Sequence, residues 1–381
     1  MGALRFLLAV CVVSAHTLGP SGFGVGGQLS VEIFFLVSGF LISFILNESP
    51  RYASIRDFYV SRGLRIFPLY FIVTGLSALL VVTLAALGNK SLVLSTFEES
   101  DTFAKLLLSL GNIGILFQDM TFFLSTDDGA TQLVHALDAH GNGLYAGLLT
   151  PQAWSLSLEL MFYLLAPLVI RSNKALFALL ALGIALRCYF FFWTTLENDP
   201  WFDRFFPIQI AVFALGALSH KLISPAYRSS SGVLQSNAFR GICYVAVLAF
   251  IAFYTTIPGP DFLKQLLAIL SVATTLPVLF STQTEWKLDG FLSNLSFPIY
   301  LWHVLVINLI SVLFSKIGFQ DGFVLFALTL VVSIFLSLAF NVFVDSKIQI
   351  FRGKFKVHSL DMLGSEVTAI NARKPRLGQT Q

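Results

Sequence analysis

Apolar residues in this chain are gathered into ten blocks, at about 4–18, 30–47, 66–88, 153–170, 174–195, 205–222, 240–257, 264–281, 295–315 and 323–345. A helix that crosses a bilayer needs about 20 apolar residues, and most of the blocks come close to that length. Turn-forming clusters such as Gly19-Pro20 and Pro258-Gly259-Pro260 punctuate some of the gaps. A further apolar stretch, 103–124, is interrupted by Gly111, Asn112 and Gly114 and is either an eleventh span or a helix lying on the membrane. The pattern predicts an all-α fold: a polytopic membrane helical bundle of about ten transmembrane helices.

Composition supports that reading. Of 381 residues, 56 % are hydrophobic and only 12 % charged, with a mean hydropathy of +0.79. A soluble domain carries about a quarter charged residues, so disorder and an ordinary cytosolic enzyme are both excluded. The net charge of +3 is small and dispersed, with no basic patch interleaved with aromatics to suggest nucleic acid. Cys11, Cys188 and Cys243 each lie inside an apolar run, a spacing that suits burial in lipid or bundle and no metal site. The first block could pass for a signal peptide. No convincing small-x-small cleavage site follows it, however, and it carries His16 near its end, so it reads as a retained first helix.

Charge decides between ten spans and eleven. With both termini cytoplasmic and ten spans, only Lys90, Lys105, Arg204, Lys264 and Lys316 of the 24 Lys and Arg fall outside, and Arg187 falls within a helix. That is the positive-inside pattern. An extra span at 103–124 would invert everything after it, so that segment is expected on the membrane surface. Residues 89–152 then form one long external loop carrying Glu98, Glu99, Asp101, Asp119, Asp127, Asp128 and Asp138. The chain divides into a membrane domain, 1–345, and a basic cytoplasmic tail, 346–381, expected to be poorly ordered and able to meet acidic headgroups.

Charged groups in the hydrocarbon core cost at least a few kcal/mol and normally face the bundle interior with a partner or a task. The list of ionisable residues there is short: Arg5, His16, Glu32, Glu159, Arg187 and His303, with Arg62 and Arg65 at an inner helix end. His16 and Glu32 are expected at similar depth on adjoining helices, joined only by the Gly-rich connection 17–29. A carboxylate there could fix the imidazole tautomer and make it a better general base; the same pair could simply pin two helices. Arg5 lies eleven residues before His16, about 16 Å along the helix axis. Arg62 and Arg65, at i and i+3, share one helix face. Three guanidiniums at the inner mouth would suit a phosphorylated ligand, although positive-inside topology accounts for them as well. Glu159 sits one to two turns into its helix, behind Trp154 as an interfacial anchor, on a polar face with Ser155, Phe162 and Tyr163. His303 is expected near the cytoplasmic half of the ninth helix, where a lone histidine more often packs with a hydrogen bond than catalyses. No Walker loop, dinucleotide fingerprint, His-Glu-x-x-His or Gly-x-Ser-x-Gly occurs.

Five motifs in order carry a resemblance: Arg5…His16; Val31-Glu32-Ile33-Phe34-Phe35-Leu36-Val37-Ser38-Gly39-Phe40; Arg62-Gly63-Leu64-Arg65; Trp154-Ser155-Leu156-Ser157-Leu158-Glu159 with Phe162-Tyr163; and Tyr300-Leu301-Trp302-His303. From residue 4 to about 345 the sequence resembles the type three family of integral membrane O-acyltransferases. The resemblance implies a membrane acyltransferase domain in the bacterial inner membrane. It also implies an acyl-CoA donor, most often acetyl-CoA, taken from the cytoplasm as a substrate rather than held as a resident cofactor, and an extracytoplasmic carbohydrate hydroxyl as acceptor. By the same route His16 corresponds to the family's essential histidine and Arg5 to its basic partner. Arg62 and Arg65 fall on its paired arginines, and its Phe-x-x-Ser-Gly-Phe stretch falls on residues 35–40, which adds Ser38 to the donor-binding candidates. The chain departs from relatives at Leu160-Met161, where a second Glu and Gln often stand. No esterase-like domain is fused at the C-terminus, so the short form of the family is expected.

The expected mechanism places CoA phosphates on Arg5, Arg62 and Arg65 and the thioester at His16. His16, oriented by Glu32, deprotonates a sugar hydroxyl or relays the acyl group; loop 89–152 binds the acceptor. Trp154, Glu159, Tyr163 and His303 are further candidates. Two other functions fit the same intramembrane charges: a proton-coupled secondary transporter, against which stands the lack of paired repeats or matching broken helices, and a non-catalytic subunit of a glycan-export assembly.

Overall fold

The structure is a computed structural model that describes residues 1–19, 22–48, 54–127, 129–136, 143–196, 199–283 and 287–353. Each of the ten expected blocks is a helix. Eight are long and apolar enough to cross a membrane; α1 (Gly2–Leu18) and α10 (Asn237–Ala252) are shorter apolar helices. The eight are α2 (Gly26–Asn47), α3 (Ile55–Ala86), α6 (Trp154–Val169, extended by a 3-10 turn from Pro151), α7 (Asn173–Trp193), α8 (Phe206–Leu218), which runs on through a π turn at Ser219–Ile223 and α9 (Ser224–Ser229) to a length of 24 residues, α11 (Asp261–Gln283), α12 (Lys287–Ile317) and α13 (Gly322–Phe340). The last continues through a π turn into α14 (Ser346–Gly353). The start of the expected tail is therefore helical, while residues 354–381 lie outside the described residues, as do Asp128 and Asp138.

The long helices begin where side chains satisfy their orphan amides. Ser54 accepts from Asp57 N at the start of α3, Ser172 from Ala175 N at α7, and Asp321 from Val324 N at α13. In α1 this service comes from another helix. The Asp289 carboxylate of α12 accepts from the Gly2 and Ala3 amides at 2.8 Å each and from the Tyr244 hydroxyl of α10. Asp289 is 2 % exposed, so this cap is buried.

Helices α1, α2, α8 and α12 form the centre; α3, α7 and α13 turn most of their apolar surface outward. Leu4, Leu8, Ile33, Leu36, Phe40 and Phe213 are fully buried between the central helices. On α7, by contrast, Phe177, Ile184, Tyr189, Phe192 and Trp193 are exposed, as a lipid-facing helix requires. Two parallel pairs set the geometry. In α1 and α12 the contacts Gly2–Asp289 and His16–His303 both join residues 287 apart in sequence. In α2 and α8 the contacts Glu32–Gln209 and Ser43–His220 both join residues 177 apart.

Segment 103–124 is not a span. Helix α5 (Thr102–Gly114) has 13 residues, about 20 Å of rise against a hydrocarbon core of about 30 Å. It ends because Ile115 and Phe117 take positive φ values of 66° and 69°, reversing the chain into a 3-10 turn at Asp119–Phe123. The residues that interrupt its apolar pattern anchor it: the Tyr70 hydroxyl donates to the Asn112 carbonyl at 2.7 Å, and Asn112 Oδ1 accepts from Leu149 N at 2.8 Å. With α4 (Leu92–Glu99) and a small hairpin, β1 (Leu124–Asp127) paired antiparallel with β2 (Ala130–Leu133), α5 caps one end of the bundle, here called the loop end. The Asp101 carboxylate ties two of these pieces, accepting from Ala104 N at 2.8 Å and Thr131 N at 3.0 Å.

Candidate functional site

Two cavities lie one behind the other along the bundle. The smaller, about 70 Å³, is lined by Arg5, Arg62, Arg65, Ser38, Glu159 and Tyr163, among others. Arg5 sits in the first turns of α1 and Arg62 and Arg65 in the early turns of α3, so two helix starts bring three guanidiniums to one place. Glu159 and Tyr163 are i and i+4 on α6 and therefore share a face. The Glu159 carboxylate accepts from both the Tyr163 and Ser38 hydroxyls, which joins α6 to α2. Arg5 Nη1 donates to Ser293 Oγ at 3.1 Å, and the Arg62 guanidinium lies 5.8 and 5.9 Å from the Phe58 and Tyr163 ring centres.

The larger cavity, about 1000 Å³, is at the loop end and is lined by His16, Gln28, Lys90, Trp154, Asp203 and Arg204, among others. Val31 and Tyr300 line both cavities, so only a thin wall separates the arginine pocket from the histidine. The Tyr300 hydroxyl is fixed there, donating to the Gln152 carbonyl at 2.8 Å and lying 2.6 Å from Ser155 Oγ.

His16 is exposed to this cavity, and its ring centre lies 5.0 Å from that of His303. His303 is fully buried. Its Nδ1 is 2.6 Å from the Tyr300 carbonyl, an acceptor only, so Nδ1 carries the proton and Nε2 the lone pair. That Nε2 has no hydrogen-bond partner among the described residues. The expected position of His303 near the cytoplasmic half of its helix, well away from His16, is thus corrected. The ninth span was expected to start at 295, whereas α12 starts at Lys287. Two further turns of helix, in parallel register with α1, carry His303 to the level of His16.

The expected His16–Glu32 pair is not formed. Glu32 Oε1 accepts from Arg187 Nη2 at 2.6 Å and from Gln209 Nε2 at 3.2 Å, and no hydrogen bond joins Glu32 to His16. The reason is the α2–α8 register, which turns Glu32 toward α8 and α7 and away from α1. Arg187, noted in the sequence only as a charge within a helix, also stands 4.6 Å from the Phe202 ring centre.

Sequence reasoning missed the connection between α7 and α8. Arg204 donates from Nε and Nη2 to both oxygens of Asp199 at 2.6 and 2.7 Å. Its guanidinium stands 4.1 Å from the Phe122 ring centre and 4.2 Å from that of Trp154. Asp203 lines the same cavity, and burial, with Glu32 and Asp199 nearby, pushes its carboxyl up to about 7. The signal was the run Asp199-Pro200-Trp201-Phe202-Asp203-Arg204, three charges among aromatics in a short connection between two apolar helices. In the 3-10 turn after α5, Asp119, buried and accepting from Ser157 Oγ at 2.6 Å, is pushed by burial up to about 6.

The structure therefore brings Arg5, Arg62, Arg65, Ser38, Glu159 and Tyr163 together in one pocket and His16 and Trp154 around the next, with His303 buried against His16, and leaves Glu32 in a separate network. Comparison with known proteins agrees with a single domain type. The family described as "acyltransferase domain" matches residues 1–342. Peptidoglycan O-acetyltransferase OatA of Listeria monocytogenes serovar 1/2a (strain ATCC BAA-679 / EGD-e) is 24 % identical over 333 residues, covering 80 % of this chain and 49 % of that protein. Nodulation protein 10 of Rhizobium leguminosarum bv. viciae is 26 % identical over 293 residues, 73 % of this chain and 71 % of its own length. The chain thus spans about half of the first relative and most of the second. No solved structure matches it. The chain belongs to the type three family of integral membrane acyltransferases.

Proposed function

We propose that this protein is an O-acyltransferase that moves an acyl group from acyl-CoA to a carbohydrate hydroxyl, with the two cavities holding the two substrates. The observation that carries the reading is the shared wall: Val31 and Tyr300 border both the arginine pocket and the histidine cavity. Arg5, Arg62 and Arg65 suit the phosphates of CoA, because guanidinium binds phosphate as a charge-assisted fork. Arg5 and His16 stand about 16 Å apart along one helix, a separation that an extended pantetheine arm can bridge. The thioester then enters at the Tyr300 wall, and the hydroxyl approaches from the larger cavity. His16 takes the hydroxyl proton as the oxygen attacks, and the departing CoA thiolate recovers it. Lys90, Tyr145 and Trp154, from the 89–152 region and the start of α6, line the acceptor side.

Orientation and acceptor follow from the same reading. The arginine pocket faces the cytoplasm, where acyl-CoA is made, with both termini on that side of the bacterial inner membrane; the distribution of Lys and Arg supports this. A peptidoglycan O-acetyltransferase among the relatives supports acetyl as the group and an envelope polysaccharide as the acceptor.

The test is transfer of label from radiolabelled acetyl-CoA to cell-envelope glycan by the purified protein. His16→Ala should lower transfer by about 10²–10⁴-fold, the usual contribution of a general base, at unchanged membrane abundance. Arg65→Ala should weaken CoA binding by about 10–100-fold, as expected for one charge-assisted hydrogen-bonding group. Full transfer by His16→Ala would sink the mechanism, and substrate flux independent of CoA would point to a transporter.

A further inference from the structure

An acyl transfer that passes through a tetrahedral intermediate needs a positive group or preorganised donors at the carbonyl oxygen as well as a base at the hydroxyl. The arginine pocket cannot supply this if it holds the phosphates. Arg204 is the cation on the His16 side that is held in place. Asp199 grips one edge of its guanidinium through Nε and Nη2 at 2.6 and 2.7 Å. The Phe122 and Trp154 rings, 6.2 Å apart and inclined at 62°, form a corner around it. Its side chain is only 13 % exposed. A guanidinium has five N–H donors, and two of Arg204's are committed to Asp199. The two on Nη1 and the second on Nη2 have no partner among the described residues.

The position fits as well as the chemistry. Arg204 and His16 line the same cavity, and so does Tyr300 at the wall of the donor pocket. Trp154, against which Arg204 packs, opens α6; its next residue, Ser155, lies 2.6 Å from the Tyr300 hydroxyl. The guanidinium therefore faces the same cavity as the Tyr300 wall where the thioester must enter. Gln28 steadies the connection from α2, donating to the Asp203 carbonyl at 3.0 Å.

We propose that Arg204, aimed by Asp199 and the Phe122–Trp154 corner, is the catalytic residue that binds the thioester carbonyl oxygen and stabilises the oxyanion formed on it. The inference rests on the acyl-transfer reading above. As the hydroxyl oxygen bonds to the carbonyl carbon, the C=O π pair moves onto the carbonyl oxygen and the hydroxyl proton passes to His16. The free N–H groups of Arg204 donate to that oxyanion. Collapse restores the carbonyl and breaks the C–S bond, and the thiolate takes the proton from His16. Asp199 is a positioning residue: its carboxylate balances the arginine's charge and occupies one edge of the guanidinium, leaving Nη1 for the substrate.

The experiment measures thiol release from acetyl-CoA by the full-length protein, with water alone and with cell-envelope glycan fragments as acceptor. Arg204→Gln should lower kcat by about 10²–10³-fold with both acceptors, the usual cost of losing an oxyanion donor, and leave KM for acetyl-CoA unchanged. Arg204→Lys should recover part of the loss, because charge is retained without the fork. Added guanidinium should partly rescue Arg204→Ala, because the corner and Asp199 still offer it a seat, and a purely structural role would not respond. Unchanged kcat in Arg204→Gln overturns the proposal. A loss confined to glycan transfer, with hydrolysis intact, also overturns it and makes Arg204 a sugar-binding residue. A lowered unfolding midpoint in Arg204→Lys, with no rescue of Arg204→Ala, reduces Arg204 to a structural group. If wild-type protein releases no thiol and transfers no acetyl group, the acyl-transfer reading itself fails.

Discussion

The parallel crossing of α2 on α8 depends on two glycines, and adding one methyl group there should be costly. A Cβ at Gly39 would fall inside the envelope of the Phe213 carbonyl oxygen and 3.0 Å from Phe213 Cα; a Cβ at Gly216 would meet the Leu36 carbonyl and lie 3.0 Å from Phe40 N. The obstacle in each case is backbone, which cannot rotate away as a side chain can. Restoring a C···O contact of about 3.3 Å requires the helices to part by more than about 1 Å. Overpacking of this kind costs about 1–3 kcal/mol, and in lipid, where close backbone approach is the source of helix association, little offsets it. The separation would be felt at Glu32, seven residues and about 10 Å along α2, where the Gln209 bond is already 3.2 Å long. We expect Gly39→Ala and Gly216→Ala each to lower the thermal unfolding midpoint in detergent. The double variant should cost less than the two losses combined, since one separation relieves both clashes. Gly75→Ala on the outward-facing α3 is the control: its Cβ meets nothing within 4 Å, and alanine gains about 0.5–1 kcal/mol over glycine within a helix. If Gly39→Ala and Gly75→Ala moved the midpoint alike, the close-crossing argument would be refuted.

Asp289→Asn should destabilise the protein by about 1–3 kcal/mol, because the buried Gly2 amide, the half-buried Ala3 amide and the Tyr244 hydroxyl lose a charged acceptor; an unchanged unfolding midpoint would refute the interhelix cap. Asp119 titrates at about 6 when folded and 3.8 when unfolded. The folded state therefore binds more protons between those values, and stability should fall as pH rises from about 4 to 6, by about 2–3 kcal/mol in all. Asp119→Asn should remove that slope from a pH series of unfolding midpoints, and a slope that survives would locate it elsewhere. Glu32→Gln and Arg187→Gln should each lower acyl transfer, and the double variant should lose little more than either alone. Normal activity in Arg187→Gln beside a dead Glu32→Gln would instead restore Glu32 to a direct role at His16.

The ten helices were legible because hydrocarbon imposes length and apolarity on every span, and both can be read from one chain. The arginine pocket was legible for a related reason: Arg5, Arg62 and Arg65 lie at helix starts on one side, so topology alone brings them to one end. What could not be read was rotation and register. His303 was expected two turns too shallow because the apolar block begins at 295, whereas the helix begins at Lys287 and carries in its first turn the Asp289 that caps α1. Glu32 was expected to face α1 because α1 precedes it, although α8, far along the chain, supplies its neighbour Gln209. Arg204 was counted as an outer loop charge because nothing in the sequence says that Phe122, Trp154 and Asp199 surround it.

These misreadings share a cause that bears on how the site is built. In both central pairs the helices run parallel, and a polar contact at one end fixes which residues meet at the other. Asp289 holds the first turn of α1, and His16 consequently meets His303 fourteen residues on, about 21 Å away along the axis, with no bond of its own to enforce the match. Ser43 and His220, 2.9 Å apart, lie beyond the Gly39–Gly216 crossing, and Glu32 and Gln209 consequently meet on its other side. The histidine cavity can therefore stay wide, about 1000 Å³, because its alignment is set by contacts outside it. Substitutions at Asp289 or at the glycine crossing should accordingly reduce activity together with stability, although neither position lines the larger cavity.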